Sequence, residues 1–168
     1  MTQSDLSIII VSWNVRELLE GCLRSIVGQS ALTLQIIVVD GASSDGSAAM
    51  VAEQFPEVEL VACKENVGFP RGNNLGLERA NGRYILLLNP DTIVHGDALA
   101  QMVSYLEENS QVGVVGPQLL NDDGSVQSSR RRFPTVKTAF FESTWLQPYA
   151  PQTLLDQYYV QDVADDET

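Results

Sequence analysis

The sequence is poor in the residues that build disulfide scaffolds and structural zinc sites. Among 168 residues it has two cysteines, Cys22 and Cys63, and a single histidine, His95. Both cysteines lie within apolar patterns, so we expect two buried free thiols, as in a cytosolic protein. One histidine without a cysteine cluster argues against a structural zinc site.

Positive charge and long apolar runs are also scarce. Lysine and arginine total 10 against 22 aspartate and glutamate residues, which gives a net charge of −12 at pH 7. No face of such a chain can neutralise many phosphates, which excludes a general nucleic-acid binder. The apolar runs are too short to span a bilayer, and the first residues lack the basic start of a signal peptide. We expect a cytoplasmic protein, and a peripheral position at the inner face of the membrane is compatible with these features.

What the sequence does contain is an alternation of strand-like and helix-like segments. It is 44% hydrophobic and long enough for one domain with a substantial core. Strands are predicted at residues 6–11, 34–39, 58–62, 84–88 and 112–115. Helices are predicted at 15–27, at 48–55, from the loop at 66–74 through Arg79, and around 99–106. A turn at residues 121–124 suggests a hairpin reaching Val126. The alternation predicts an α/β fold with a parallel, doubly wound sheet.

The apolar run at residues 84–88 predicts a central strand buried on both faces. Pro90 ends this strand and places the carboxylate of Asp91 just beyond it, where open α/β sheets bind their ligands. A single carboxylate there suits a hard divalent cation that also binds phosphate oxygens. The alternative interpretation is that Asp91 only caps a helix or a turn.

Polar residues also follow the first two predicted strands, at Asn14 and Asp40, and a polar loop covers residues 66–74 before the next helix. The carboxyl ends of parallel strands share one edge, so these residues are expected to converge with Asp91 on a ligand. Each of them alone is also common as a helix cap. Asn14 in particular, with Glu17 three residues later, has the pattern of a capping box.

The character of the chain changes after residue 124. Residues 130–132 are the only concentrated positive charge, and they suit either a phosphate site or a solvated turn paired with nearby acids. Apolar residues then recur at roughly helical spacing, at Phe133, Val136, Phe140, Phe141 and Trp145. Residues 152–168 are acidic without a base and are expected to form a solvated or disordered tail.

The order and spacing of several motifs resemble family-2 glycosyltransferases of the GT-A fold. The matching segments are IIIVSWN at 8–14, VVDGASSDGS at 38–47, NVGF at 66–69, NNLG at 73–76, LLNPDT at 87–92, GP at 116–117, DG at 123–124 and RRFPT at 131–135. The Asn-Pro-Asp form at 89–91 and the Arg-Arg-x-Pro segment are most similar to the rhamnosyltransferase branch.

The resemblance implies a Rossmann-like GT-A fold with a mostly parallel sheet. It places a nucleotide-sugar-binding core at residues 1–135 and a helix with an acidic tail at 136–168 of the same single domain. The implied reaction is a metal-dependent, inverting transfer of a sugar, with rhamnose as the candidate, from a dTDP- or UDP-linked donor to a saccharide or lipid-linked saccharide acceptor. In this family the general base lies beyond the matched segment. We therefore expect the donor-binding part of an enzyme, C-terminally truncated, or a shortened relative.

Residue by residue, the resemblance implies a nucleotide site formed by Ser12, Asn14, Asp40, Asn66, Arg71 and Asn89. Asp40 would accept a hydrogen bond from the N–H of a pyrimidine ring. Asn89 replaces the first acid of the family's Asp-x-Asp motif and would bind a ribose hydroxyl. Asp91 matches the last acid and would bind a Mg²⁺ or Mn²⁺ ion that bridges the diphosphate.

Other classes of function fit this sequence less well. A sugar-phosphate nucleotidyltransferase would carry a glycine-rich basic loop directly after the first strand, and a phosphoacceptor module would carry paired acids there. Neither pattern is present. A non-catalytic domain that binds nucleotide or dimerises stays open. Phe140, Phe141 and Trp145 would favour a homo-oligomer if they were exposed, whereas packing on the sheet is the alternative.

Overall fold

The computed structural model describes residues 3–129 and 131–160. The strands are β1 (Leu6–Ser12), β2 (Leu34–Asp40), β3 (Glu59–Ala62) and β4 (Tyr84–Leu88). The helices are α1 (Arg16–Ile26), α2 (Ser47–Gln54), α3 (Gly68–Leu77), α4 (Ala98–Glu108), α5 (Val136–Glu142) and α6 (Gln152–Tyr158), with a 3₁₀ turn at Gln147–Tyr149. The chain divides into two compact units, the first ending at Val115 and the second starting at Gly116.

The first unit is built on a parallel sheet with the strand order β3-β2-β1-β4. In this sheet Ser12, the last residue of β1, lies opposite Asp40, the last residue of β2. On the other side of β1, Ile10 lies opposite Leu88 at the end of β4. All four strands therefore end at the same edge, which confirms the predicted parallel α/β architecture.

Helices cover both faces of this sheet. On one face Ile8 and Ile10 pack in a core with residues of α1, α2 and α4, among them Leu19, Met50 and Leu99. On the other face Ile9, Ile37 and Val39 pack with Leu75 of α3 and with Ala80. Strands buried on both faces are continuous apolar runs, which is the pattern that β1 and β2 show.

The prediction for β4 was wrong in two respects. Among the described residues it pairs only with β1, so it is an edge strand rather than a central one. Its side chains alternate in burial, and Ile85 and Leu87 are 48% and 52% exposed. An apolar run shows that a strand can be buried. Whether the strand is in fact buried depends on how many strands lie beside it.

Two further boundaries differ from prediction. Residues 112–115 form no strand, because no strand pairs with them among the described residues, and the N–H of Val112 donates to the carbonyl of Asn109 instead. Helix α3 begins at Gly68, inside the predicted loop. Pro70 is tolerated there because the first N–H groups of a helix have no intrahelical acceptor. The predicted hairpin is confirmed by an antiparallel bridge between Leu120 and Val126.

The second unit contains α5, the 3₁₀ turn and α6. Residues 152–158 are helical, so that part of the predicted tail is ordered, while residues 161–168 lie outside the described part of the chain, as does Arg130. The guanidinium of Arg131 lies over the ring of Tyr159 at 4.2 Å, and the backbone N–H of Arg132 donates to the carbonyl of Tyr158. The two described arginines of the basic segment thus contact the end of α6.

Several of the most exposed apolar side chains lie in this second unit. Phe133 and Val136 are almost fully exposed, and Trp145 and Tyr149 are largely so. Phe140 is half exposed and Phe141 is partly buried. No described helix has the length and apolar character needed to cross a bilayer.

Candidate functional site at the carboxyl ends of the strands

The centre of the candidate site is the pair Ser12 and Asp40. Both side chains are buried, although each ends a strand at the sheet edge, where solvent normally reaches. The backbone fixes them side by side, because they are register partners and the N–H of Gly41 donates to the carbonyl of Ser12 at 2.8 Å.

Each member of this pair has an oxygen without a protein partner. The Oδ2 of Asp40 accepts from the N–H of Ser43 at 2.9 Å, but its Oδ1 and the Oγ of Ser12 have no hydrogen-bond partner among the described residues. A buried polar atom without a partner is costly, and native proteins keep few of them. Both oxygens are shielded, so a ligand would reach them only when neighbouring loop residues shift.

The loops after β1 and β2 hold each other in place. The N–H of Asn14 donates to the Oγ of Ser43, and the Oδ1 of Asn14 accepts from the N–H of Ser44 at 2.8 Å. The side-chain carbonyl of Asn14 therefore does not cap α1, whose N-cap is Val15, and the predicted capping box was wrong. Asn14 has a φ of 53°. This left-handed conformation directs its side chain to the neighbouring loop instead of to the helix.

A third link between the two loops involves Asp45. Its Oδ2 accepts from the N–H of Arg16, and its Oδ1 accepts from the N–H and the hydroxyl of Ser47. The hydroxyl of Ser47 is the largest cause that holds the pKa of this carboxyl below its ordinary value, and the N–H of Arg16 adds to it. Asp45 therefore links the start of α1 to the start of α2 by hydrogen bonds.

Asn66 and Arg71 lie at the beginning of α3. The Oδ1 of Asn66 accepts from the N–H of Gly68 and also lies 3.4 Å from the position where a Cβ on Gly41 would be. This places Asn66 directly against the end of β2. Arg71 is exposed and forms no salt bridge with any described residue, so its guanidinium is available to an anionic ligand.

Asn89 and Asp91 lie at the same edge of the sheet, beyond β4, with β1 between them and β2. The segment runs along α1, since the Sγ of Cys22 contacts the carbonyl of Asn89 at 3.7 Å and the Oγ of Ser25 accepts from the N–H of Val94. Burial raises the pKa of the Cys22 thiol to about 11, and the charge of Asp91 contributes to that rise. Asp91 itself is exposed.

The few oxygen ligands at Asp91 fit a cation that is held mainly by the phosphate groups of a bound substrate. No group of three or more His, Cys, Asp or Glu side chains that could hold a metal is found among the described residues. One exposed carboxylate with a neighbouring amide gives few protein ligands. Mg²⁺ commonly binds through one or two carboxylates together with substrate phosphates and water, and such a site matches Asp91.

The structure thus brings four of the expected residues into one cluster at the ends of β1 and β2: Ser12, Asn14, Asp40 and Asn66. Arg71, Asn89 and Asp91 lie at its periphery, without a direct contact to that cluster among the described hydrogen bonds. Sequence reasoning missed the supporting roles of Ser43, Ser44 and Asp45. The turn-forming composition of residues 41–46 was the available signal, but it does not identify the partner loop.

The sequence matches the family model Glycosyl transferase family 2 over residues 7–162. The chain belongs to this family. A curated relative, the putative teichuronic acid biosynthesis glycosyltransferase TuaG of Bacillus subtilis, is 31% identical over 124 residues, which is 71% of this chain and 49% of TuaG. For another curated relative, the matched region is 35% of its length. The chain therefore spans between about one third and one half of the length of these two relatives.

Solved structures share the fold of this chain. A mannosyltransferase from Pyrobaculum calidifontis, in complex with GDP-Man and Mn²⁺, superposes with a TM-score of 0.55 and 28% identity over 63% of this chain and 33% of that chain. TarS residues 1–349 from S. aureus, in complex with UDP-GlcNAc, gives a TM-score of 0.57 at 20% identity over 63% of this chain and 32% of that chain. These matches confirm the GT-A-type α/β fold of the family-2 chain for its N-terminal part.

Proposed function

We propose that this family-2 chain binds the nucleotide of a sugar donor and serves the transfer of that sugar to an acceptor hydroxyl. The observation that carries the proposal is the pair of buried, unpartnered oxygens on Ser12 and Asp40 at the ligand-binding edge of the sheet. Native proteins keep few buried polar atoms without a partner, and a bound ligand is one means of satisfying these two. Nucleotide-sugar complexes of proteins with this fold support the ligand class.

In the proposed complex, the free Oδ1 of Asp40 accepts a hydrogen bond from a ring N–H of the base, as a carboxylate does well. The hydroxyl of Ser12 is able to donate to an adjacent ring carbonyl. A uracil or thymine presents this donor and acceptor side by side, and so does guanine through N1–H and O6, so the choice of a UDP- or dTDP-linked donor comes from the motif resemblance. The side-chain NH₂ of Asn14 would donate to the nucleotide, since its side-chain carbonyl already accepts from the N–H of Ser44. Asn66 and Arg71 contribute from the start of α3.

The proposal assigns the diphosphate end of the donor to Asn89 and Asp91. Asp91 would hold Mg²⁺ or Mn²⁺ together with the diphosphate oxygens, and Asn89 would bind a ribose hydroxyl. When bound, the cation supplies charge neutralisation for the leaving nucleoside diphosphate. The Mn²⁺ in the related mannosyltransferase structure supports a divalent ion. Because one carboxylate attracts a cation weakly, metal affinity should be low without nucleotide.

The finer parts of the proposal concern the sugar and the stereochemistry. Rhamnose as the donor sugar and inversion at its anomeric carbon are inferred from the motif resemblance at residues 89–91 and 131–134. A polymer-type saccharide or a lipid-linked saccharide is the proposed acceptor, which is in keeping with the teichuronic acid pathway named for TuaG. The proposal places nucleotide-sugar binding within residues 1–135 and names no general base among the described residues.

Calorimetric titration with UDP, dTDP and GDP, each with and without Mn²⁺, tests this proposal. We expect a pyrimidine diphosphate to bind, with an affinity that Mn²⁺ raises at least tenfold. Asp91→Ala should remove the effect of Mn²⁺, and Asp40→Asn should weaken binding with or without metal. Asp97→Ala, which removes an exposed carboxylate just before α4, is the matched control and should behave as wild type.

The absence of nucleotide binding under all these conditions would refute the proposal. If nucleotide binding is unaffected by Mn²⁺ and by Asp91→Ala, the metal site is refuted and the nucleotide site stands. Nucleotide binding without release of sugar from any UDP- or dTDP-sugar, even with acceptor present, would favour the second candidate, a nucleotide-binding domain without transfer activity.

A further inference from the structure

The carboxylate of Asp91 is not held by a neighbouring side chain. It is exposed, and it has no hydrogen bond or salt bridge within the part of the chain that the structure describes. A carboxylate that has to meet a cation and a diphosphate at one point needs a fixed orientation, which groups behind the ligand normally supply. The orientation of Asp91 therefore depends on the backbone that carries it.

That backbone forms a tight turn directly after β4. The N–H of Thr92 donates to the carbonyl of Asn89 at 3.3 Å, which closes a four-residue turn with Asp91 at its third position. Pro90 occupies the second position, where its fixed φ suits the common turn types. The carbonyl of Asn89 closes the turn, so a group that binds this carbonyl also restrains Asp91.

Helix α1 supplies such a group before the carboxylate. The thiol of Cys22 donates to the carbonyl of Asn89, with 3.7 Å between sulfur and oxygen. Burial raises the pKa of this thiol to about 11, and the charge of Asp91 contributes, so the thiol is protonated at neutral pH and able to donate. A thiol is a weak donor, but this one is buried, where water competes little for the carbonyl.

The same helix holds the chain after the carboxylate through Ser25. The Oγ of Ser25 accepts from the N–H of Val94 at 3.0 Å and donates to the carbonyl of Cys22 at 2.7 Å. Ile93 packs on the helix as well, since its Cδ1 lies 3.4 Å from the position where a Cβ on Gly21 would be. Helix α1 thus contacts residues 89–94 on both sides of the carboxylate.

We propose that Cys22 and Ser25 are positioning residues that fix the carboxylate of Asp91 for the cation and the diphosphate. They act through the backbone of residues 89–94 and are not themselves ligands. This inference rests on the proposed function, because it takes Asp91 as the cation ligand. The alternative is that both side chains only stabilise the fold, in which case their loss would weaken nucleotide binding equally with and without the cation.

Calorimetric titration with UDP, with and without Mn²⁺, separates these two roles. The measured quantity is the factor by which Mn²⁺ raises the affinity for UDP. Ser25→Ala should lower this factor about tenfold, as is usual for residues that orient a metal ligand, and should leave the metal-free affinity within about twofold of wild type. Ser25→Thr keeps the hydroxyl and should regain most of the Mn²⁺ effect.

Cys22 offers a second matched pair, which keeps the test valid if a variant of Ser25 does not fold. Cys22→Ala removes the donor to the carbonyl of Asn89 and should lower the Mn²⁺ factor about threefold, because a thiol bond is weaker than a hydroxyl bond. Cys22→Ser replaces the thiol with another donor and should keep the Mn²⁺ factor of the wild type.

Ser7→Ala is the matched control for Ser25→Ala. The hydroxyl of Ser7 also donates one hydrogen bond and accepts one from a backbone N–H, but it lies near the start of β1, away from the strand ends. Ser7→Ala should therefore lower stability and leave the Mn²⁺ factor unchanged.

Amide hydrogen exchange of the free chain adds a measurement that needs no ligand. The N–H of Val94 should exchange about tenfold faster in Ser25→Ala than in the wild type, because it loses its acceptor. It should exchange at the wild-type rate in Ser25→Thr and in Ser7→Ala. An unchanged rate in Ser25→Ala would show that α1 does not hold the segment, and would overturn the proposal.

The calorimetric outcomes decide the rest. The proposal is overturned if both alanine variants keep the wild-type Mn²⁺ factor, if they lose affinity equally with and without Mn²⁺, or if Ser7→Ala loses the factor too. A wild-type chain that binds no UDP, or binds it without any effect of Mn²⁺, is a different result. It refutes the proposed cation site itself, and the positioning role of Cys22 and Ser25 is refuted with it.

Discussion

Gly72 of α3 lies against Val11 of β1 so closely that a Cβ on Gly72 would be 2.7 Å from the Cγ1 of Val11. This contact fixes how near α3 approaches the sheet, one residue before Ser12 in β1. Because Asn66 and Arg71 precede this contact on the chain, it also sets how near they lie to the strand ends.

We therefore expect Gly72→Ala to destabilise the chain. The branched side chain of Val11 has little freedom to move aside, and overpacking of this kind costs about 1–3 kcal/mol. The better helix propensity of alanine offsets only about 0.5–1 kcal/mol of this destabilisation. Urea unfolding should show a net loss, and Gly113→Ala is the control because its Cβ position is open. Equal stability of the two variants would contradict the close approach.

Ser12→Ala should separate stability from binding. The Oγ of Ser12 has no partner among the described residues, so its removal should leave the free energy of unfolding unchanged or raise it by up to about 1 kcal/mol. Affinity for the pyrimidine diphosphate should fall by about 3- to 10-fold through loss of one hydrogen bond. Chemical unfolding and calorimetry on the same preparation measure both quantities.

Ser7 provides the matched control on the same strand. Its buried hydroxyl donates to Gln35 and accepts from the N–H of Gly82. Ser7→Ala should therefore cost about 1–3 kcal/mol of stability and leave nucleotide affinity unchanged. If Ser12→Ala destabilised the chain as much as Ser7→Ala, the hydroxyl of Ser12 would be structural rather than reserved for a ligand.

The hydrogen bonds of Asp45 make the stability of the chain depend on pH in the acid range. The folded-state pKa of Asp45 is lowered, chiefly by the hydroxyl of Ser47. The bonds therefore stabilise the fold above the unfolded-state pKa of about 3.9, and this stabilisation is lost as pH falls through the lowered value. Asp45→Ala should lower stability by about 1 kcal/mol at pH 7, with a difference from wild type that closes below pH 4. Thermal melts of the wild type and of Asp45→Ala between pH 7 and pH 2.5 measure this.

Cys22 and Cys63 should differ in their reactivity towards iodoacetamide at pH 8. Cys22 is buried and its thiol pKa is raised to about 11, which leaves very little thiolate, whereas Cys63 is partly accessible. Peptide mapping by mass spectrometry should find Cys63 modified first, with Cys22 slowed about 100-fold or more relative to the unfolded chain. Similar rates for the two thiols in the native chain would show that the segment holding Asn89 does not cover Cys22.

The parallel sheet could be predicted from the sequence because it follows from local signals. Apolar runs identify β1 and β2, and the polar residues that follow these runs, Asn14 and Asp40, were expected at one edge of the sheet, whereas Ser12 was expected only from the motif resemblance. The edge position of β4 was not predictable, because it depends on which strands are present beside it. The start of α3 was missed because Pro70 and the glycines are typical of loops as well as of a first helical turn.

The hydrogen bonds of the site were the least accessible to prediction. Asn14 has the sequence context of a helix cap, and its partner Ser44 lies 30 residues further along the chain. Composition suggests that both residues lie in turns, but only the register of β1 and β2 brings the two turns together. The same holds for the buried Oδ1 of Asp40, since a lack of partners becomes visible only when all neighbours are placed.

The hydrogen bonds of Asn14 with Ser43 and Ser44, and of Asp45 with Arg16, make the two loops a single unit for protein engineering. Lengthening or shortening either loop would break the hydrogen bonds that hold the other loop in place. A change of donor specificity made by loop exchange would therefore have to replace both loops together. Substitutions in one loop alone would displace Ser43, whose N–H holds the Oδ2 of Asp40, without touching Asp40 itself.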